Sequence, residues 1–125
     1  VGRNRAARAK PDHAGATWEG SVIRSDGPGA LAATAPTDEM LGALIGSNLA
    51  ARLSDDAGDY LCNFTLYRLL AEAAAPSVGF LHVPQAREFA DRASSCLAEI
   101  DQAVRASVRA MADALSRPVA ERRRA

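Results

Sequence analysis

Cys62 and His82 are the two side chains of this sequence that could act together in nucleophilic catalysis. A cysteine attacks as the thiolate, and it needs a base within hydrogen-bond reach to accept its proton. Cys62 follows a turn and stands at the predicted start of a helix, where the helix dipole and the first N–H groups favour a thiolate and can hold an oxyanion. His82 lies 20 residues further on, in the run SVGFLHVP. The two residue types are therefore compatible with a nucleophile and its base.

A structural interpretation of the same residues stays open at this point. A cysteine in a helix often packs as a small hydrophobic residue, and a histidine at a strand end often has a purely structural partner. In α/β folds, however, the ends of strands and the starts of the following helices share one edge of the sheet. Cys62 and His82 can meet if the chain folds in that way.

The first third of the chain is predicted to be mostly irregular. Residues 1–29 show little periodicity and are predicted as mostly loop, with a short extended piece at residues 21–24. Pro36 then opens a helix in which Thr37 is the predicted N-cap. The acidic residues Asp38 and Glu39 suit the positive first turn of this helix. Its predicted buried face consists of four apolar residues: Met40, Leu41, Leu44 and Ile45.

The segments around the two candidate residues come next. Residues 48–53 are predicted as a linker with a short strand, and residues 55–58 as a turn. A second helix is predicted from about Tyr60 to Ala74. Residues 77–84 are rich in β-branched and aromatic side chains and are bounded by prolines, so we predict a buried strand that ends at His82–Pro84.

The clearest helix comes last. Its apolar residues recur in steps of three and four along one stripe, namely Leu97, Ile100, Val104, Val108, Met111 and Leu115. Cys96 precedes this stripe and is interpreted as structural, and residues 119–125 are predicted to be a basic tail. Helices that alternate with apolar strands indicate one α/β domain in which helices cover a sheet. So few strands would not make a self-sufficient sheet, which indicates that part of the domain is absent.

Composition argues against several classes of function. The 125 residues have a formal net charge of zero, so no wholly basic surface for nucleic acid is indicated. No apolar run reaches the roughly 20 residues that span a bilayer, and no secretory signal precedes the domain. We therefore expect a cytoplasmic protein with both cysteines as free thiols. Phosphate-loop and metal-ligand spacings are absent, so neither cofactor nor metal is expected.

Two quoted stretches resemble the pyroglutamyl-peptidase I (pyrrolidone-carboxylate peptidase) family. The first is AGDYLCNFTLY, from Ala57 to Tyr67, which resembles the family's segment Ala-Gly-x-aromatic-apolar-Cys-Asn-x-x-x-Tyr/Trp. The second is LHVP, from Leu81 to Pro84, which resembles the family's apolar-His-Val/Ile-Pro segment at a strand end. A weaker likeness links Pro11 and Asp12 to the family's Arg-Ile-Pro-Asp segment.

The resemblance implies a fold, an activity and a set of site residues. The fold is a three-layer α/β/α sandwich of the phosphorylase/hydrolase-like type, here without its N-terminal strands. The activity is that of a cysteine exopeptidase that removes an N-terminal pyroglutamyl residue from peptides, with no cofactor. Cys62 is the implied nucleophile and His82 the general acid and base. Tyr60 and Leu61 line the pocket for the lactam ring, and Asp12 is a candidate auxiliary residue.

The sequence also departs from the family pattern. Ala9 and Lys10 stand where the family has an arginine and an apolar pocket residue, and His13 follows Asp12 in place of asparagine. The family's third catalytic residue, a glutamate, falls upstream of Val1. The alternative hypothesis is therefore a truncated or diverged relative without catalysis. The family tends to self-associate, so a homo-oligomer is a further expectation.

Overall fold

A computed structural model describes residues 1–7, 10–83 and 92–118 of the chain, with the backbone alone described for residues 92–96. Two short strands and three helices follow one another along the chain: β1 (Gly2–Arg3), β2 (Ala30–Leu31), α1 (Thr37–Gly46), α2 (Leu61–Ala71) and α3 (Arg92–Ser116).

The chain divides into two compact units. The cysteine unit comprises Val1–Ala35 and Ser54–Phe80, and the helix-pair unit comprises Pro36–Leu53 and Leu81–Ala125. The predicted basic tail at residues 119–125 lies outside the described residues.

The cysteine unit is built on a short antiparallel ribbon against which α2 packs. Gly2 of β1 pairs with Leu31 of β2, and α2 contacts both strands. A Cβ atom at Gly2 would lie 3.0 Å from the Cα atom of Tyr67, so the close approach of β1 to α2 needs a glycine there. The buried apolar side chains of this unit are Ile23, Ala35, Leu66, Tyr67 and Val78.

The helix predicted around Cys62 is confirmed with a shorter C-terminal end. It begins at Leu61 and ends at Ala71, not at Ala74. Ala73 adopts a left-handed φ of 47°, while the N–H groups of Ala73 and Ala74 bond back to the carbonyls of the last turn. This left-handed closure ends the helix three residues before the predicted limit.

The helix-pair unit consists of α1 packed against α3. The helix predicted after Pro36 is confirmed, and Asp38 and Glu39 lie in its first turn as expected. The prediction of Thr37 as N-cap is wrong, because Thr37 is already helical and Pro36 holds the cap position without a side-chain hydrogen bond. Met40 and Leu44 are buried, whereas Ile45 is exposed.

The apolar stripe predicted on α3 is not the buried face of this helix. The helix itself is confirmed, but among its described side chains, residues 97–116, the buried ones are Ser107 and Ala114. The large aliphatic side chains of the stripe are mostly exposed: Leu97, Val104, Val108 and Leu115. The buried positions of α3 therefore carry small residues, and the amphipathic pattern did not identify them.

Three predicted extended segments are not strands. Residues 21–23 form bends and residue 24 is irregular, while residues 48–53 form a turn and irregular chain. Residues 77–83 also carry no strand, and Pro84 lies outside the described residues. In the last segment the Val78 carbonyl accepts hydrogen bonds from the N–H groups of Thr34 and Ala35 at 2.9 and 3.0 Å. A strand forms only when its backbone hydrogen-bonds to a second extended segment beside it. The strand propensity of residues 77–83 does not determine whether such a segment lies there.

Candidate active site

Cys62 is the second residue of α2, directly after a tight turn. The turn is closed by the Asp56 carboxylate, which accepts the N–H of Gly58 at 3.0 Å, while Gly58 has a φ of 81° that favours glycine. The helix starts with the bond from the Phe64 N–H to the Tyr60 carbonyl, and the Tyr60 side chain does not cap it. Cys62 is a free, half-buried thiol beside the first N–H groups of this helix.

Asn63, the residue after Cys62, is completely buried. Its amide nitrogen donates to the carbonyls of Arg3 and Arg5 at 2.8 and 2.9 Å, and its Oδ1 accepts the N–H of Arg3 at 2.8 Å. The start of α2 is thereby bonded to the end of β1 and to the residues that follow it. The sequence interpretation assigned no role to Asn63, although the Cys-Asn pair in the family segment was the signal that pointed to it.

A cavity of about 200 Å³ lies beside the start of α2. Its walls are mainly aromatic and aliphatic, and the side chains relevant to the site are Lys10, Asp12, Trp18, Tyr60, Leu61 and Phe64. Trp18 meets Phe64 edge to face at 5.1 Å between ring centroids. The structure thus brings together Tyr60, Leu61, Asp12 and Lys10, which the sequence places up to 51 residues apart.

Tyr60 is held in the cavity wall by two contacts. Its hydroxyl donates to the carbonyl of Pro11, and the Lys10 ammonium lies 4.2 Å from its ring centroid. The second contact is a cation–π interaction. The position where the family pattern has an apolar residue therefore brings a positive charge to the cavity wall.

The contacts of Asp12 shape the loop that carries Trp18. Its Oδ1 accepts the N–H groups of Ala14 and Ala16 at 2.8 and 2.9 Å, and its own N–H donates to the Ala16 carbonyl. This is the local pattern by which aspartate closes a turn. A role of Asp12 as an auxiliary residue of the site stays a prediction.

His82 belongs to the helix-pair unit, where it is exposed, whereas Cys62 belongs to the cysteine unit. The pairing of Cys62 with His82 therefore stays a prediction. Pro84 of the LHVP stretch and Ala9 lie outside the described residues, and Cys96 is described by its backbone alone within α3.

Neither a metal cluster nor a membrane helix is found in the part of the chain that the structure describes. Within residues 1–7, 10–83 and 92–118, no group of three or more His, Cys, Asp or Glu side chains could hold a metal ion. The helices of the same ranges are not long and apolar enough to cross a membrane.

Comparison with known proteins defines first the class and then the family. Two solved structures share the fold and place the chain in the α/β class, as predicted. Pyroglutamyl peptidase I from Bacillus amyloliquefaciens has a TM-score of 0.76 and 23% identity, over 89% of this chain and 56% of that one. Pyrrolidone carboxyl peptidase from Pyrococcus furiosus has a TM-score of 0.75 and 26% identity, over 90% and 60%.

The pyroglutamyl peptidase family model matches residues 2–115, so the chain belongs to this family. The predicted resemblance is thus confirmed. Pyrrolidone-carboxylate peptidase from Deinococcus radiodurans is 40% identical over 80 residues, which are 59% of this chain and 36% of the relative. The one from Oceanobacillus iheyensis is 34% identical over 83 residues, which are 63% and 42%. The aligned part of this chain spans about two-fifths of the length of these relatives.

Proposed function

We propose that this chain carries the nucleophile-bearing part of a cysteine exopeptidase that hydrolyses an N-terminal pyroglutamyl residue from peptides. The observation that carries the proposal is the family match across residues 2–115, which includes both Cys62 and His82. The relatives named above are pyroglutamyl or pyrrolidone-carboxylate peptidases. A free, half-buried thiol that directly follows Leu61, a residue of the aromatic cavity wall, supports the same function.

In the proposed reaction, the Cys62 sulfur attacks the carbonyl carbon that joins the pyroglutamyl residue to the next residue. The C–S bond forms, and the oxyanion of the tetrahedral intermediate is stabilised by N–H groups at the start of α2. His82 accepts the thiol proton and passes it to the leaving amine as the C–N bond breaks. Water then hydrolyses the thioester, releasing pyroglutamate and restoring the thiol.

The cavity beside α2 is the proposed site for the lactam ring. Tyr60 and Leu61 line it, and they directly precede Cys62 in the chain. Flat apolar walls suit a small planar ring, because burial of its CH₂ groups and stacking on an aromatic face are both favourable. In this proposal Lys10 adds a cation to a wall that is apolar in the family pattern, so we expect weaker binding of the neutral lactam than in relatives with the apolar residue.

The test is an assay on a version of the protein that includes the upstream coding sequence, using a pyroglutamyl-linked chromogenic amide. We expect Cys62→Ser to lower kcat/KM by at least about 10³-fold, because a hydroxyl in the same place is a much weaker nucleophile. Cys96→Ser is the matched control, and we expect it to stay within about twofold of the parent. Full activity of the Cys62→Ser variant would contradict the assignment.

The alternative is a non-catalytic relative, and the departures from the family pattern at Ala9 and Lys10 favour it. The aligned part of the chain spans about two-fifths of its curated relatives' length, and the glutamate implied by the family pattern falls outside the 125 residues. Without the carboxylate that orients the base, we expect the 125-residue chain by itself to show little or no turnover. Turnover by this chain comparable to that of the extended version would rule out a need for the upstream part.

Localisation and assembly are further parts of the proposal. We infer a cytoplasmic protein, because free thiols are typical of reducing compartments. We also infer self-association, and the exposed aliphatic side chains of α3, among them Val104 and Val108, support it. Light scattering on the parent and on Val108→Glu tests the second inference, since a charge on this stripe is expected to shift the mass toward the monomer. An unchanged mass would exclude the stripe as the contact.

A further inference from the structure

We propose that Asn63 is a positioning residue for the Cys62 thiol, acting through its bonds to the segment Arg3–Arg5. This inference rests on the proposed function, in which Cys62 is the nucleophile. Asn63 does not reach the reacting atoms in this proposal. It fixes the direction of the first turn of α2, which carries both the sulfur and the N–H groups that stabilise negative charge.

The hydrogen bonds of Asn63 carry the argument. Both ends of its amide are used, and all three bonds go to the backbone of Arg3 and Arg5 within a narrow range of 2.8 to 2.9 Å. The side chain is completely buried, so no water can replace these partners. Because Asn63 is the next residue after Cys62, any rotation of the first turn that moves the sulfur also breaks these bonds.

The same segment also holds the turn that precedes Cys62. The Arg5 guanidinium donates to the Asp56 carboxylate at 3.2 Å and to the Gly58 carbonyl at 3.4 Å. The Ala7 N–H donates to the Asp59 carbonyl at 2.6 Å. The residues from Arg3 to Ala7 therefore contact the chain on both sides of Cys62. Of these contacts, the hydrogen bonds of Asn63 are the ones made by a completely buried side chain.

Asn4 provides a matched control in the same unit. Its side chain also bonds only to backbone groups: its Oδ1 accepts the N–H groups of Ile23 and Arg24, and its amide nitrogen donates to the carbonyls of Arg24 and Gly27. These bonds stabilise the loop from Ile23 to Gly27 and do not involve α2. Asn4 lies within the segment to which Asn63 bonds, but loss of its side chain leaves all three Asn63 bonds in place, so we expect Asn4→Ala to slow alkylation less than Asn63→Ala does.

The experiment measures alkylation of Cys62 by iodoacetamide in the 125-residue chain with Cys96→Ser, which leaves one thiol. In this reaction the sulfur forms the S–C bond, iodide leaves with the electrons of the C–I bond, and the thiol proton goes to the buffer. Near neutral pH, we expect Asn63→Ala to slow alkylation by at least about threefold, because a loosened helix start no longer holds its N–H groups toward a negative sulfur. Asn4→Ala should stay within about twofold.

A second variant gives a signature that simple loss of stability would not produce. Asn63→Asp keeps the acceptor for the Arg3 N–H but turns a carboxylate oxygen toward the carbonyls of Arg3 and Arg5. Protonation of that buried carboxyl restores one donor, and burial raises the pH at which this happens. The ratio of the Asn63→Asp rate to the parent rate should therefore rise toward one as the pH is lowered.

Several outcomes would overturn the proposal. They are an unchanged or faster alkylation in Asn63→Ala, an equal slowing in Asn4→Ala, and a pH-independent ratio for Asn63→Asp. Failure of both Asn63 variants to fold, seen by circular dichroism, would also overturn it, because Asn63 would then serve the fold as a whole. Alkylation does not require turnover, so a chain without peptidase activity still tests the role of Asn63 independently of the proposed function.

Discussion

The cysteine unit and the helix-pair unit are stabilised in different ways. In the cysteine unit, buried polar side chains bond to the backbone of distant segments, as Asn63 does to Arg3 and Tyr67 does to Pro28 at 2.8 Å. In the helix-pair unit, α1 packs against α3, and the polar contacts include exposed or half-exposed ion pairs such as Arg105–Asp101. Directional buried bonds define one geometry, whereas exposed ion pairs contribute little. The unit that carries Cys62 is thus the more sharply specified of the two.

The largest expected effect comes from truncating a leucine in each unit. Leu66 is 3% exposed, so Leu66→Ala should lower the free energy of unfolding of the cysteine unit by about 2–5 kcal/mol. Leu115 is 38% exposed, and Leu115→Ala should cost less than about 1 kcal/mol. Urea unfolding followed by Trp18 fluorescence reports the first unit, and helical circular dichroism reports the whole chain. Equal losses of unfolding free energy in the two variants would contradict the proposed difference between the units.

A smaller effect is expected from a glycine that faces the buried tyrosine. A Cβ atom at Gly27 would overlap the hydroxyl oxygen of Tyr67, so Gly27→Ala should cost about 1–3 kcal/mol in the same urea experiment. Gly29 is the control, since nothing lies within 4 Å of a Cβ atom there. In a Tyr67→Phe background the cost of Gly27→Ala should shrink. If it persists undiminished, the hydroxyl is not the cause.

The helix ends give a stabilising prediction of smaller size. The residue in the left-handed conformation after α2 is Ala73, with a φ of 47°, and after α1 it is Asn48, with a φ of 59°. Glycine adopts this conformation without strain, and asparagine tolerates it better than alanine does. Ala73→Gly should therefore raise the free energy of unfolding by about 0.5–1 kcal/mol, which a higher thermal midpoint would report. Asn48→Gly should change it less, and the reverse order would argue against the assigned conformations.

The smallest effect concerns two exposed carboxylates, one in each unit. The hydrogen bond from Arg105 lowers the pKa of Asp101, and the hydrogen bond from Arg24 lowers the pKa of Asp26. A carboxyl whose folded pKa lies below its unfolded value of about 3.9 contributes stability above that pH, and this contribution is lost as the pH falls through the folded pKa.

Arg105→Gln and Arg24→Gln should each raise the pKa of the partner carboxyl, which NMR titration of the side chains measures. We expect neither substitution to change the overall stability clearly, in either unit, because both ion pairs are exposed to solvent. A clear change in overall stability in either variant would show that its ion pair matters more than its exposure suggests.

The helices were predictable from the sequence, but the strands were not. Periodic apolar residues and helix-start residues predicted α1, α2 and α3, because a helix satisfies its backbone bonds within one segment. The predicted strand at residues 77–84 failed in its described part, and β1 at Gly2–Arg3 was missed within a predicted loop. A strand depends on which distant segment lies beside it, and no local pattern contains that information.

The candidate site divides in the same way. The place of Tyr60, Leu61 and Cys62 at a helix start was predicted from the local sequence pattern, and the helix start is confirmed at Leu61. Their roles in the site are implied by the family segment and stay a prediction. The part played by Trp18 in the wall of the cavity was not predicted, because it depends on how the Asp12 turn folds the loop. The buried role of Asn63 was also missed, since its partners lie about 60 residues away.

The sequence by itself determined the family, the helices and the residue types at the proposed nucleophile, because these depend on short motifs and local periodicity. Only the tertiary structure decided which face of α3 packs against α1. It also decided which segments pair as strands, and that Lys10, Tyr60 and Trp18 share one cavity. The physical reason is that burial and hydrogen bonding between distant segments depend on their arrangement in space, and the same amphipathic stripe or apolar run is compatible with several arrangements.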